Sequence, residues 1–315
     1  MAEVAGAEKR RRTLDPRIDL VFSLLFGAEH NRRLLIALLN EVLRPATTIE
    51  SVEVLPARPE AYDIEDKVVF LDLRVRLDGG EQVDVEMQTR RHVALRPRVL
   101  FYWGRLYTGQ LQRGEPYSGL QRCAVVLIAD FVELAAPHFH SVFQARERSS
   151  GELLTDHFEL HVLELPKLRH ARVGMDEPGL AAWCRFLAAE TDEELEALAM
   201  QYPILKDAKD ALEKLSADPE ARERAERREI ELKLYEYGAA TIRAEGRVEG
   251  RAEGRVEGRF EGKQTALLDL LTLKFGEVPL EARTRLDTAT ESDLDCWLKR
   301  VLSAEKLDTV FRNDG

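Results

Sequence analysis

Two acidic residues, Asp72 and Glu86, stand in the two arms of a short amphipathic segment, KVVFLDLRVRLDGGEQVDVEMQ, running from Lys67 to Gln88. In the first arm Val69, Leu71, Leu73, Val75 and Leu77 alternate with Phe70, Asp72, Arg74 and Arg76. In the second, Val83, Val85 and Met87 alternate with Asp84, Glu86 and Gln88. Asp78-Gly79-Gly80 between them is hairpin chemistry, because Asp-Gly and Gly-Gly tolerate the positive φ of tight loops. A two- or three-residue loop there sets Asp72 across from Glu86 or one residue off. Successive side chains of a strand face opposite sides of a sheet, so both carboxylates fall on the polar face. Cross-strand neighbours lie roughly 5 Å apart, close enough to share one ion. Carboxylates held that close repel each other unless something positive sits between them. A hard divalent cation with oxygen ligands, Mg2+ or Mn2+, meets that need. An ordinary hairpin with one solvated face carries the same alternation, so the chemical reading depends on the flanking residues.

A positive island comes directly after the hairpin. No Asp or Glu occurs between Glu86 and Glu115, whereas Arg90, Arg91, Arg96, Arg98, Arg105 and Arg113 do. A phosphate backbone would lie there; a helix with merely solvated arginines is the plainer alternative. The net charge of −11 speaks against binding nucleic acid over the whole surface, but not against local contact. Other chemistry is thinner. His138-x-His140 and His157-x-x-x-His161 have spacings that zinc uses. The second pair reads as part of a strand, where residues four apart are separated by about 13 Å. Asp84 reads as a solvated neighbour of the turn. There is no dinucleotide or Walker-type glycine loop, and no Ser/His/Asp set stands out.

The elements that must hold these residues are legible in the periodicity. A helix over Leu20, Val21, Leu24 and Leu25 ends near Gly27, and a second spans Asn31 to Leu43. Ile49–Leu55 reads as a strand, the hairpin comes next, and Arg98–Gln112 returns to helical spacing. CAVVLI (Cys123–Ile128) is a short apolar run, the mark of a strand buried on both faces. His157–Leu165 alternates and ends at Pro166. This order of helices and strands predicts an α/β core. From Pro178 on, helices are expected over Leu180–Ala189, Asp192–Met200 (capped by Thr191) and Ile204–Leu215. Pro219–Tyr237 is a charged helix, followed by five tetrads of the form x-Glu-Gly-Arg/Lys over Ala244–Lys263. Each glycine there costs about 0.8–1 kcal/mol relative to alanine in a helix, so a flexible spacer is the expectation, and close helix–helix contact the alternative. Short helices over Thr265–Phe275, Pro279–Leu286 and Ser292–Leu302 complete the chain, the last preceded by a capping-box signal at Thr290 and Asp293.

The resulting division is a flexible tail over 1–13, an α/β domain with a helical extension over 14–215, a charged helix and repeat linker over 216–263, and a small helical domain over 264–315. At 315 residues and 44% hydrophobic the chain has material for real cores. No apolar run is long enough for a membrane span, and no secretory signal follows the basic run Lys9–Arg12. Three widely spaced cysteines fit reduced thiols, and a cytoplasmic location is expected.

With these pieces placed, the chain resembles the Rpn family, recombination-promoting nucleases also described as transposases, within the wider PD-(D/E)XK nuclease superfamily. The resemblance rests on Asp19-x-x-Phe22 with Phe26-Gly27, Leu38-Leu39-Asn40, Lys67 with Leu71-Asp72, and Val85-Glu86-Met87-Gln88. It continues through Arg98-x-x-x-Tyr102, Leu106-Tyr107, Gly114-x-x-Tyr117, Leu165-Pro166-Lys167, Phe186-Leu187 and the Glu-Gly-Arg array. It implies a restriction-endonuclease-like mixed sheet flanked by helices. It further implies Mg2+ or Mn2+ held by Asp72, Glu86 and the Met87 carbonyl, with Asp19 reaching in from the first helix. Gln88, standing where most of the superfamily has lysine, would orient the attacking water; it can donate and accept but brings no charge. Charge stabilisation is then left to the metal and to Arg98 or its neighbours. DNA is the implied substrate, with Arg90, Arg91, Arg96, Arg98 and Arg105 on its backbone, and cleavage and recombination the implied activities. The rival expectation is a catalytically weak or silent relative that binds DNA or self-associates through its C-terminal helices. Strand transfer of transposase type is a third.

Overall fold

The computed structural model describes residues 13–56, 73–169 and 175–312. Residues 1–12 and the start of the hairpin's first arm, Lys67, Leu71 and Asp72 included, lie outside the described residues. The chain divides into two compact units, Met1–Glu231 and Leu232–Gly315.

The first unit is built on a mixed six-stranded sheet in the order β1-β2-β3-β4-β6-β5. Its strands are β1 (Val52–Val54), β2 (Leu73–Leu77), β3 (Gln82–Gln88), β4 (Cys123–Ala129), β5 (His140–Gln144) and β6 (Phe158–Glu164). β2 and β3 form the expected antiparallel hairpin, Leu73 opposite Val85 and Arg76 opposite Gln82. Leu77 N–H donates to the Glu81 carbonyl at 2.8 Å, so Asp78, Gly79 and Gly80 make the loop. Gly80 has φ +87°, a conformation that side chains rarely adopt. β3, β4 and β6 run parallel, and β5 returns antiparallel along β6. β5 was not anticipated from sequence: His140–Gln144 is partly exposed and lacks a clear alternation.

Period-2 alternation sorts the sheet's two faces. Val83, Val85, Met87, Ala124, Val126, Ile128 and Leu163 point into the main core. Helices α1 (Asp19–Gly27), α2 (Arg32–Leu43), α4 (Pro178–Ala188), α5 (Asp192–Gln201) and α6 (Pro203–Ala217) supply the other side of that core through Phe22, Phe26, Leu35, Leu39, Trp183, Phe186, Leu195 and Leu212. Each such fully buried side chain contributes roughly 1.5–3 kcal/mol. On the opposite face, Val125, Leu127 and Val162 are covered by Leu95 and Val99 of α3 (Leu95–Thr108). Trp103 of α3 stacks on Tyr107 and donates Nε1–H to the Cys123 carbonyl at 3.0 Å, fastening the helix to β4.

Several of the recurring residues have structural work. The Asn40 side chain pairs with both backbone groups of Ile49 (2.9 and 3.0 Å), fixing the approach to β1. A Cβ on Gly27 would meet Leu73 Cδ1 at 3.3 Å, so glycine lets α1 press on the start of β2. Thr191 and Thr290 both form the expected capping boxes, with Glu194 and Asp293.

The charged segment and the glycine tetrads form one helix, α7 (Pro219–Phe275), where a spacer had been expected. No proline interrupts it, and its Glu, Arg and Ala residues are good helix formers that offset the glycines. A Cβ on Gly250, Gly254, Gly258 or Gly262 would meet nothing within 4 Å, so these glycines serve no close contact within the chain. The boundary between the units falls inside this helix. In the second unit Leu267 and Leu271 of α7 pack with α8 (Leu280–Asp287), α9 (Glu291–Arg300) and α10 (Leu307–Val310) around Leu294, Trp297, Val301 and Val310. Among the described residues no helix is long and apolar enough to cross a membrane. Cys123 and Cys184 are buried free thiols, and burial pushes the Cys123 thiol up to about 12.

Candidate active site

β3 carries Asp84, Glu86 and Gln88 on the face beneath α3, in register with Val125, Leu127 and Ala129 of β4. The expected polar face is present, but it is not solvated. Asp84 is 3% exposed, against the expectation of a solvated residue beside the turn, and Glu86 is 2% exposed. α3 lies over this face, a covering that alternation within the hairpin does not reveal.

Arg98 of α3 points inward. Its Nη2 stands 3.7 Å from Glu86 Oε2, and its guanidinium lies 5.4 Å from the centre of the Tyr102 ring. Gln88 donates Nε2–H to the same Glu86 oxygen at 3.0 Å. A buried carboxylate is tolerable where positive charge and hydrogen-bond donors meet it. Arg98 and Gln88 provide both, and Arg98 brings to Glu86 the positive charge that a glutamine at 88 lacks. Asp72 lies outside the described residues. Among those described, no three His, Cys, Asp or Glu side chains gather as a metal-holding group.

Asp19 opens α1, nearly buried, and is gripped by Arg228 of α7 through Nε at 3.0 Å from Oδ1 and 3.1 Å from Oδ2. The hydrogen bond to Asp19 raises the Arg228 pKa further and keeps the guanidinium charged. Nothing in the sequence singled out Arg228, one of many charged residues in its helix and 209 positions from its partner.

Of the other arginines of the island, Arg113 is exposed beyond α3 and the remaining four divide into two groups. Arg90 and Arg105 are half-buried, with Arg105 5.8 Å from the Phe101 ring centre. Arg91 and Arg96 are exposed and both meet Glu133, at 2.7 Å each. Glu133 sits on the loop that leaves β4, whose first residue, Asp130, donates its N–H to the Gln88 carbonyl at 2.9 Å. A second unforeseen group anchors this loop: Glu164, 0% exposed, which ion-pairs with Lys167. The Leu165-Pro166-Lys167 motif was the available signal for the lysine; none marked its glutamate.

The histidine spacings considered for zinc are rearranged by the fold. His140 and His161 meet across β5 and β6, Nε2 to Nδ1 at 3.0 Å, with rings stacked at 5.3 Å. Glu177, itself paired with Arg44, meets His140 at 3.1 Å. Glu159, paired with Arg122, meets His161 at 3.4 Å. These side chains form a row of hydrogen bonds, not a shell around an ion. His157 is elsewhere, with its Nδ1 2.9 Å from the Tyr107 hydroxyl. Burial lowers the His140 pKa from its ordinary 6.5, and the hydrogen bond with His161 brings Glu159 down from 4.5 to about 2. For His140 the unfolded chain takes the proton first, so its stabilising effect is complete above pH 6.5 and fades on acidification. For Glu159 the effect is complete above 4.5 and is lost toward 2. The unfolding midpoint should therefore fall between pH 7 and 5, and His140→Asn should flatten that slope; a variant as steep as the parent would refute the assignment.

The family model described as PD-(D/E)XK nuclease family transposase matches residues 16–235. The match therefore takes in the whole sheet, both faces of helices and the Arg228 turn of α7. No curated protein and no solved structure gives a match.

Proposed function

The chain belongs to the PD-(D/E)XK nuclease family transposases, and from that premise we propose that it is a metal-dependent DNA endonuclease that hydrolyses phosphodiester bonds. The observation that carries the proposal is Glu86: a carboxylate 2% exposed, met by Arg98 at 3.7 Å and by Gln88 at 3.0 Å, on the sheet face of a nuclease fold. In the hairpin register Leu73 is partnered by Val85. The next residues along the chain are Asp72 before one and Glu86 after the other.

Asp72, Glu86 and the Met87 carbonyl would hold the ion, with Asp19 as a further acidic group. All are hard oxygen donors, the set that Mg2+ or Mn2+ takes. Bound there, the cation would make the attacking water more acidic and offset charge gathering on the phosphate. Gln88 would orient that water, accepting through its carbonyl and donating through its amide. Arg98 would stabilise the phosphate oxygens, supplying the positive charge that Gln88 does not. Its stacking on Tyr102 and its burial limit the rotamers it can visit, so its charge is placed beforehand. Arg90, Arg91, Arg96 and Arg105 would contact the DNA backbone, the sequence-independent part of binding. Strand transfer would use a DNA 3′-hydroxyl in place of water at the same residues, and recombination would follow from the breaks. The C-terminal unit, with Leu273, Leu280 and Leu302 exposed, would support self-association. Its free cysteines, Cys123, Cys184 and Cys296, would suit the reducing cytoplasm, the location proposed with this function.

Supercoiled plasmid incubated with the chain and Mg2+ should pass to nicked and linear forms, and EDTA should prevent it. Plasmid left intact across a titration of Mg2+ and Mn2+ would reject the enzyme and leave the DNA-binding alternative.

A further inference from the structure

Arg91 and Arg96 stand on either side of one carboxylate. Glu133 Oε2 takes Arg91 Nε and Oε1 takes Arg96 Nε, both at 2.7 Å, and Arg96 Nη2 also reaches the Glu133 carbonyl at 3.3 Å. The burial is lopsided. The two arginine side chains are 64% and 67% exposed, whereas that of Glu133 is 9% exposed. The two guanidinium groups themselves cover the Glu133 oxygens, Arg91 through Nε and Arg96 through Nε and Nη2, while both arginine side chains stay open to solvent.

The acid is also braced. Glu164 Oε1 accepts the backbone N–H of Glu133 at 2.6 Å and of Leu134 at 3.0 Å. The ammonium of Lys167 pairs with the other Glu164 oxygen and donates to the carbonyls of Leu134 at 3.1 Å and Ala136 at 2.6 Å. A buried ion pair thus clamps the loop from both its donors and its acceptors. The same loop starts at Asp130, bonded to the backbone of Gln88 at 2.9 Å. Strand ends, loop and arginine pair therefore share one frame with Glu86. An arginine carries about 2 kcal/mol of rotamer entropy, and holding two of them still before a ligand arrives removes part of that cost from binding.

We infer that Glu133 is a positioning residue, which holds Arg91 and Arg96 as a rigid pair to seat the phosphodiester backbone of nucleic acid beside the Glu86 site. The inference rests on the endonuclease reading above and adds to it a residue of the same charge sign as its ligand. That gives a test by sign. Deleting an acidic residue from a surface that binds a polyanion should tighten binding by simple electrostatics. Deleting a strut should weaken it.

The test is steady-state cleavage of a labelled duplex by the full chain with Mg2+. Glu133→Gln should raise KM about fivefold, the scale of two exposed ion pairs, and leave kcat within about twofold. Glu133→Asp, too short to span both guanidinium groups, should fall between. In an Arg91→Ala/Arg96→Ala background the Glu133→Gln change should alter KM by less than about twofold, since the coupling it breaks is already gone. A KM that is unchanged or lower in Glu133→Gln, or an equal rise in both backgrounds, would overturn the strut while leaving the nuclease standing. A parent chain that neither binds nor cuts the duplex would overturn both.

Discussion

Glu86→Gln should slow DNA cleavage by about 10²–10³-fold or more, with the unfolding midpoint close to that of the parent. The substitution keeps the shape of a side chain that is 2% exposed and removes only its charge. In the proposed mechanism the site then lacks an anionic ligand for the metal, and Arg98, 3.7 Å away, has less to hold it in place. The fold should tolerate the change because Leu127, beside Glu86 in the sheet, keeps its apolar packing with Leu95 and Val99 of α3. Single-turnover cleavage in saturating Mg2+ separates the chemical step from binding. Asp72→Asn should match it in size, since each acid supplies half of the pair. Cleavage within tenfold of the parent in both variants would remove the hairpin acids from the mechanism.

Lys167→Ala should destabilise the first unit by about 3–5 kcal/mol, the cost of stripping the partner from a buried charge. Glu164 is fully buried, and Lys167 is the cation that meets it. The two backbone N–H groups that Glu164 accepts do not balance a full charge on their own. Removing both charges together, Glu164→Gln with Lys167→Met, should cost markedly less than the lysine change alone, because no ion is then left buried without a counter-charge. Urea unfolding of the single and double variants measures this directly. A double variant as unstable as the single one would show that the pair's geometry matters more than its charge balance.

Much of the scaffold could be read from the chain because the signals are local. Alternation in 82–88 fixes which side chains share a face and Asp-Gly-Gly marks the turn, so the hairpin is decided by neighbours in sequence, whereas its Leu73–Val85 register, open between a two- and a three-residue loop, is settled by the fold. The apolar run at Cys123 becomes a strand buried along its whole length for the same reason. The glycine array is helical because the long stretches of good helix formers on either side outweigh the cost of its single glycines.

The amino-acid order alone thus determined the hairpin, the face that Asp84, Glu86 and Gln88 share and the run of arginines beyond it. What it could not determine was which charge meets which. Glu86 with Arg98, Asp19 with Arg228, and Glu133 with Arg91 and Arg96 are pairings between separate elements. Coulombic attraction has no preference for sequence distance. Only the packing of α3, α7 and the β4 loop against the sheet chooses among dozens of acids and bases, and it buries Glu86, Asp19 and Arg228 where a low dielectric makes the choice matter.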